Sequence, residues 1–93
     1  RANGFVFVSG VLPDPAIAGF EAQVRDTLQR CHQVLQEAGC GWSDVVQCIA
    51  YIVGVGHWPA FNAVYAEVLG GHRPARAVVP VPELHHGCLV EVQ

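Results

Sequence analysis

Apolar positions change their spacing repeatedly along this chain, and each change marks an element. Phe5-Val6-Phe7-Val8-Ser9 is a run of β-branched and aromatic residues that predicts a strand. Asn3-Gly4 directly before it is the strongest hairpin-turn dipeptide in the sequence. Only Arg1 and Ala2 precede that turn, so a partner strand is expected outside these residues. Gly10 ends the run, and Val11-Leu12-Pro13-Asp14-Pro15 reads as a loop. From Ile17 the spacing turns helical. Ile17, Phe20, Val24, Leu28, Cys31, Leu35 and Ala38 recur at steps of three and four, one face of a long amphipathic helix capped by Gly39. Val45 to Val53 is apolar on both alternating sets, which predicts a central strand covered on both faces. Gly54 and Gly56 break it, and His57-Trp58-Pro59 opens a second helix with proline in its first turn. Phe61, Val64, Tyr65 and Val68 line the inner side of that helix, and Gly70-Gly71 end it.

Two more apolar strands follow, Arg76-Ala77-Val78-Val79-Pro80-Val81 and Leu89-Val90-Glu91-Val92. With Glu83-Leu84-His85-His86-Gly87 joining them, they are read as neighbours in a hairpin. The order strand, helix, strand, helix, strand, strand predicts an α+β fold, a mixed sheet with two helices on one face. No element is left over to cover the other face. A neighbouring subunit is expected to do so.

Composition strengthens that expectation. The chain has 93 residues, enough for one small domain, and is 52% hydrophobic and 14% charged, against about 25% charged in an average soluble domain. A chain this short hides only about 60% of its unfolded surface, so excess apolar area points to an oligomer. The formal charge is −3, no lysine occurs and the five arginines are scattered, which argues against a nucleic-acid footprint or a polybasic membrane patch. No apolar run approaches the ~20 residues of a membrane span. Cys31, Cys40, Cys48 and Cys88 are widely spaced without CxxC and read as reduced, buried thiols of a cytoplasmic protein. The ends suggest a single domain, residues 1–93, trimmed or cut from a longer protein.

Candidate chemistry is sparse. Arg76 opens a strand, and its fork of donors matches a carboxylate; a structural ion pair to Glu83 or Glu91 is the competing reading. Glu91 points away from the faces taken by Val90 and Val92. It is either an exposed edge residue or a carboxylate able to position water or move a proton. Cys31-His32, His57, His72 and His85-His86 offer zinc-type ligands but no metal-site spacing. Neither a phosphate loop nor a Gly-x-Ser-x-Gly nucleophile elbow occurs.

Pro74-Ala75-Arg76-Ala77-Val78-Val79, then Leu84, then Val90-Glu91-Val92 resembles the C-terminal signature of the Rid family, also called YjgF or UK114-like proteins. Val8-Ser9-Gly10 before a proline loop, Ala38-Gly39 then Asp44-Val45-Val46, and Phe61-Asn62-Ala63-Val64-Tyr65 agree with it in order. The resemblance implies a chorismate-mutase-like subunit in a homotrimeric barrel with a cleft at each interface. It implies hydrolysis of reactive enamines and imines, of the 2-aminoacrylate and 2-iminopropionate type, to 2-oxo acids and ammonia, without a cofactor. Carried over by motif, Arg76 would grip the substrate carboxylate, Glu91 would hold the attacking water, and backbone near Gly10 and Val78 would line the cleft. The chain departs from the family in lacking the Gly-Pro-Tyr segment, in Val11 where Ser-Gly-Gln is common, in Val78 where a cysteine often stands, and at Pro82 and Val92. The alternative is a Rid-like module without catalysis of its own, serving assembly or ligand binding, for example a domain of a diphthine–ammonia ligase. An endoribonuclease role is disfavoured by the acidic balance, and 2-aminomuconate deaminases share the fold.

Overall fold

The computed structural model describes residues 4–93 and gives α1 (Phe20–Glu37), β1 (Gln47–Val53), α2 (Trp58–Leu69), β2 (Ala75–Val81) and β3 (Val90–Val92). The sheet order is β2-β1-β3, with β2 parallel and β3 antiparallel to β1. Both helices pack on one face. The architecture is therefore the expected α+β layer.

Helix α1 forms because its apolar positions return every turn. Phe20, Val24, Leu28, Cys31 and Leu35 make a buried stripe. The helix begins at Phe20 rather than Ile17, after Gly19 at a φ of 95°, a backbone conformation costly for residues with a Cβ. Two polar residues, Gln23 and Thr27, share the buried stripe. Both are satisfied: the Gln23 amide donates to the Ile17 carbonyl at 2.9 Å and accepts from the Leu89 N–H at 2.9 Å, and the Thr27 hydroxyl donates to the Gln23 carbonyl at 2.8 Å. Gln23 thus ties the loop before α1 to the entrance of β3. At the far end, Gly39 at a φ of 78° follows the Ala38 C-cap, as expected.

Strand β1 alternates strictly. Cys48, Ala50 and Ile52 are buried under the helices, while Ile49, Tyr51 and Val53 face the other way. Helix α2 adds Phe61, Val64, Tyr65 and Leu69 to the core, and β3 adds Val90 and Val92. The opposite face of the sheet carries Ile49, Tyr51, Val53, Val79 and Val81, and none of the described helices lies over it.

Two expectations are corrected. β2 and β3 are not a hairpin: β1 lies between them, and residues 82–89 cross from one edge of the sheet to the other through a 3₁₀ turn at His85–Gly87. The central place suits β1, which is apolar on both alternating sets and free of proline, whereas β2, equally long, carries Arg76 and Pro80, the latter without an N–H to donate. The run from Phe5 to Ser9 is also not a regular strand. Phe5 makes an isolated bridge, and further on Val11 and Val92 exchange backbone hydrogen bonds at 2.7 and 3.0 Å. Asn3 of the expected turn lies outside the described residues. None of the described helices is long and apolar enough to cross a membrane.

Candidate functional site

Arg76 is the second residue of β2, and its Cα partner on β1 is Cys48, so it shares the helix-covered face with Ala50 and Val78. At the strand entrance that face is not closed. The guanidinium lies over the Tyr65 ring at 4.9 Å and near the Phe61 ring at 5.9 Å, within cation–π range. Among the described residues it makes no salt bridge and no hydrogen bond, so neither Glu83 nor Glu91 pairs with it. Its donors open into a cleft of about 400 Å³ lined by Asn62, Tyr65, Gly70, His72, Arg73 and Arg76, with no carboxylate in the lining. The His72 imidazole braces the rim through a 2.7 Å contact between Nε2 and the Val45 carbonyl.

Glu91 occupies the middle of β3 opposite Tyr51, on the open face. Gly10 presses against it. A Cβ at position 10 would stand 2.5 Å from the Glu91 Oε2 atom, closer than real Cβ contacts come. The absence of a side chain at Gly10 is therefore what lets the carboxylate lie where it does. Val78 is half-buried and packs on the core two residues beyond Arg76, opposite Ala50.

The register separates the two charged groups. Arg76 pairs with Cys48 and Glu91 with Tyr51, three residues along β1 and hence on opposite faces. Two strand spacings, about 10 Å, divide them across the sheet as well. One subunit does not bring Arg76 and Glu91 into one site.

The surrounding thiols are poor nucleophiles. Burial raises the Cys48 thiol, an effect reduced by the neighbouring Tyr65 hydroxyl and the Arg76 charge. Burial, with Cys48 alongside, pushes Cys31 up to about 12. Tyr65 is also pushed up to about 12, chiefly by burial. Its hydroxyl is buried beside Cys48 without a well-formed hydrogen bond. All three are neutral near pH 7. Beyond Tyr65, a larger cavity of about 560 Å³ is lined mainly by Phe5, Phe7, Leu28, Cys31, Leu35 and Trp42, and among the described residues by no cationic side chain. Of the two cavities, the one at Arg76 is the one with cationic side chains in its described lining. No group of three potential metal ligands occurs among the described residues.

Sequence reasoning singled out Arg76, Glu91, Gly10 and Val78 but passed over the π platform. Phe61 and Tyr65 are core residues, as their helical spacing predicts. Their spacing of four on one helix face, with an arginine shortly after the helix, was the available signal.

The whole chain, residues 1–93, matches the family model described as Endoribonuclease L-PSP. A RutC family protein of Synechocystis is 37% identical, covering 98% of this chain and 76% of its own length. Among solved structures, a Mycobacterium tuberculosis member of the YjgF/YER057c/UK114 family is 32% identical with a TM-score of 0.85, over 91% of this chain and 71% of that one. RidA from a Psychrobacter species is 30% identical with a TM-score of 0.85, over 91% and 73%. The free guanidinium, the glycine-seated carboxylate and the mixed sheet thus sit in a chain that belongs to the endoribonuclease L-PSP family, the Rid or YjgF/YER057c/UK114 proteins.

Proposed function

We propose that this protein hydrolyses reactive 2-enamino and 2-imino acids to 2-oxo acids and ammonia in a cleft formed between copies of itself. The observation that supports this most directly is the state of Arg76. A guanidinium with all its donors unspent, at the mouth of a cleft without carboxylates, is poised to take a carboxylate in bidentate fashion. In this reading Glu91 comes from a second copy of the chain, because its own subunit holds it on the other face of the sheet. The uncovered apolar face and the exposed outer edge of β2 are where such a copy would pack, in the closed ring of three that the family resemblance implies.

The chemistry asks little of the protein. A 2-imino acid already carries an electrophilic carbon. Arg76 fixes its carboxylate, and Glu91 orients a water and accepts its proton as oxygen attacks that carbon. That proton passes to the imine nitrogen to give a carbinolamine; Glu91 then takes the carbinolamine hydroxyl proton and delivers it to the amino group, so that the carbonyl forms as the carbon–nitrogen bond breaks and ammonia leaves with the 2-oxo acid. Backbone at Gly10 and Val78 lines the cleft. No thiolate is required, in keeping with the raised Cys31 and Cys48.

The test is release of ammonia from freshly generated 2-iminopropionate, above its spontaneous hydrolysis, by the wild-type chain and by Arg76→Ala. Loss of at least about a hundredfold in kcat/KM is expected, since a charged hydrogen-bonding partner is removed from a carboxylate. A folded wild-type assembly that does not accelerate hydrolysis would overturn the catalytic reading and leave a ligand-binding or assembly module.

A further inference from the structure

Arg76 raises a question that its free donors leave open: what keeps a solvent-accessible guanidinium in one orientation. Arginine side chains carry large rotamer entropy, and those at a surface are commonly ordered by a carboxylate. Among the described residues Arg25 has Glu67 and Arg30 has Asp26. Arg76 has neither a carboxylate nor a carbonyl. It has two ring faces, Tyr65 at 4.9 Å and Phe61 at 5.9 Å. Both rings are buried, so both are fixed by the core, and their centroids lie 5.6 Å apart in a tilted pair.

We infer that Tyr65, backed by Phe61, is a positioning residue that orients Arg76 for a carboxylate ligand through its π face rather than through its hydroxyl. This rests on the proposed function above and adds a residue to it. The physical logic is that a ring attracts a cation without consuming N–H donors, whereas an ordering carboxylate would occupy the same donors the ligand needs. The hydroxyl is dispensable for this purpose. It is buried beside Cys48 and finds no well-formed partner there.

The experiment compares Tyr65→Phe, which keeps the ring, with Tyr65→Leu, which keeps bulk but not the ring, in the assembled protein. Two readouts are taken: steady-state hydrolysis of 2-iminopropionate, and binding of 2-oxobutyrate followed by calorimetry. Tyr65→Phe is expected to stay within about twofold of wild type in KM and Kd. Tyr65→Leu is expected to raise both about tenfold while kcat moves less than about threefold, the pattern of a lost binding contact. Equal KM and Kd in the two variants would overturn the inference, and so would a Tyr65→Phe loss as large as that of Tyr65→Leu. Should Tyr65→Leu not fold, the Arg76 side-chain protons of the wild-type protein decide by NMR. Ring-current shifts are expected for them and not for Arg25; their absence overturns the inference. Failure of the proposed function is separate: 2-oxobutyrate would still bind, with the same order of variants, to a protein that hydrolyses nothing.

Discussion

The two faces of one small sheet differ less in composition than in what covers them. On the helix side, Cys48, Ala50, Ile52, Val90 and Val92 are all buried beneath α1 and α2. On the other side, Ile49, Tyr51, Val53, Val79 and Val81 are nearly as apolar, yet none of the described helices lies over them. Exposed Phe7, at 78%, and Val46, at 67%, extend the apolar character beyond the strands. An apolar surface of this kind in a chain of 93 residues supports the proposal that a second copy packs on this face. The candidate site has the same division. Arg76 belongs to the covered face and Glu91 to the uncovered one, so the proposed chemistry draws on both.

The sharpest break of this comparison sets a core residue against an open-face residue. Ile52→Ala should cost about 2–5 kcal/mol, the usual penalty for a fully buried branched side chain. Denaturant unfolding should show that loss at every protein concentration. Val79→Asp should leave helix content intact but dissociate the assembly, detected by analytical ultracentrifugation and by a melting temperature that no longer rises with concentration. If the Val79→Asp variant sediments with unchanged mass, the open face is not an interface.

Gly10→Ala probes the Glu91 side alone. The new methyl collides with the flexible end of a side chain rather than with backbone, so the fold should survive while the carboxylate is displaced. A displacement near 1 Å can cost about a hundredfold in turnover. The expected result is a fall of at least tenfold, on the order allowed by such misplacement, with a nearly unchanged melting temperature.

The smallest effect is a dependence on alkaline pH. Cys31 has an ordinary value of 9.0 and Tyr65 of 10.0, and the fold raises both to about 12. The native state therefore holds protons that the unfolded chain has released. This contribution is fully present below about pH 9 and is lost as pH climbs towards 12. Unfolding free energy measured at pH 8, 9.5 and 10.5 should decline, and Cys31→Ala should make the decline shallower.

Much of this architecture was legible in the sequence, because burial imposes period. The stripe from Phe20 to Leu35 marked α1, and the doubly apolar run before Gly54 marked β1 as central. The uncovered face followed from counting elements. Pairing was not legible. β2 and β3 follow one another in sequence and look like a hairpin, but strand order is decided by which strand can be paired on both edges, and alternation within a strand does not encode its neighbours. The run from Phe5 to Ser9 has a strand's composition without a ladder among the described residues. Arg76 and Glu91 were identifiable as ionisable residues in apolar strands. Their placement on opposite faces, and the ring platform under Arg76, required the register.

The central claim is that Arg76 and Glu91 meet only across copies of the chain, and complementation tests it most directly. Arg76→Ala and Glu91→Gln, each inactive alone, are unfolded together in equal amounts, refolded and assayed with 2-iminopropionate. In a ring of head-to-tail interfaces with random mixing, about one cleft in four receives an intact arginine and an intact carboxylate. Recovery of about a quarter of the wild-type rate is therefore expected. Mixed assemblies as inactive as either parent would contradict the account and require both residues to act from the same subunit.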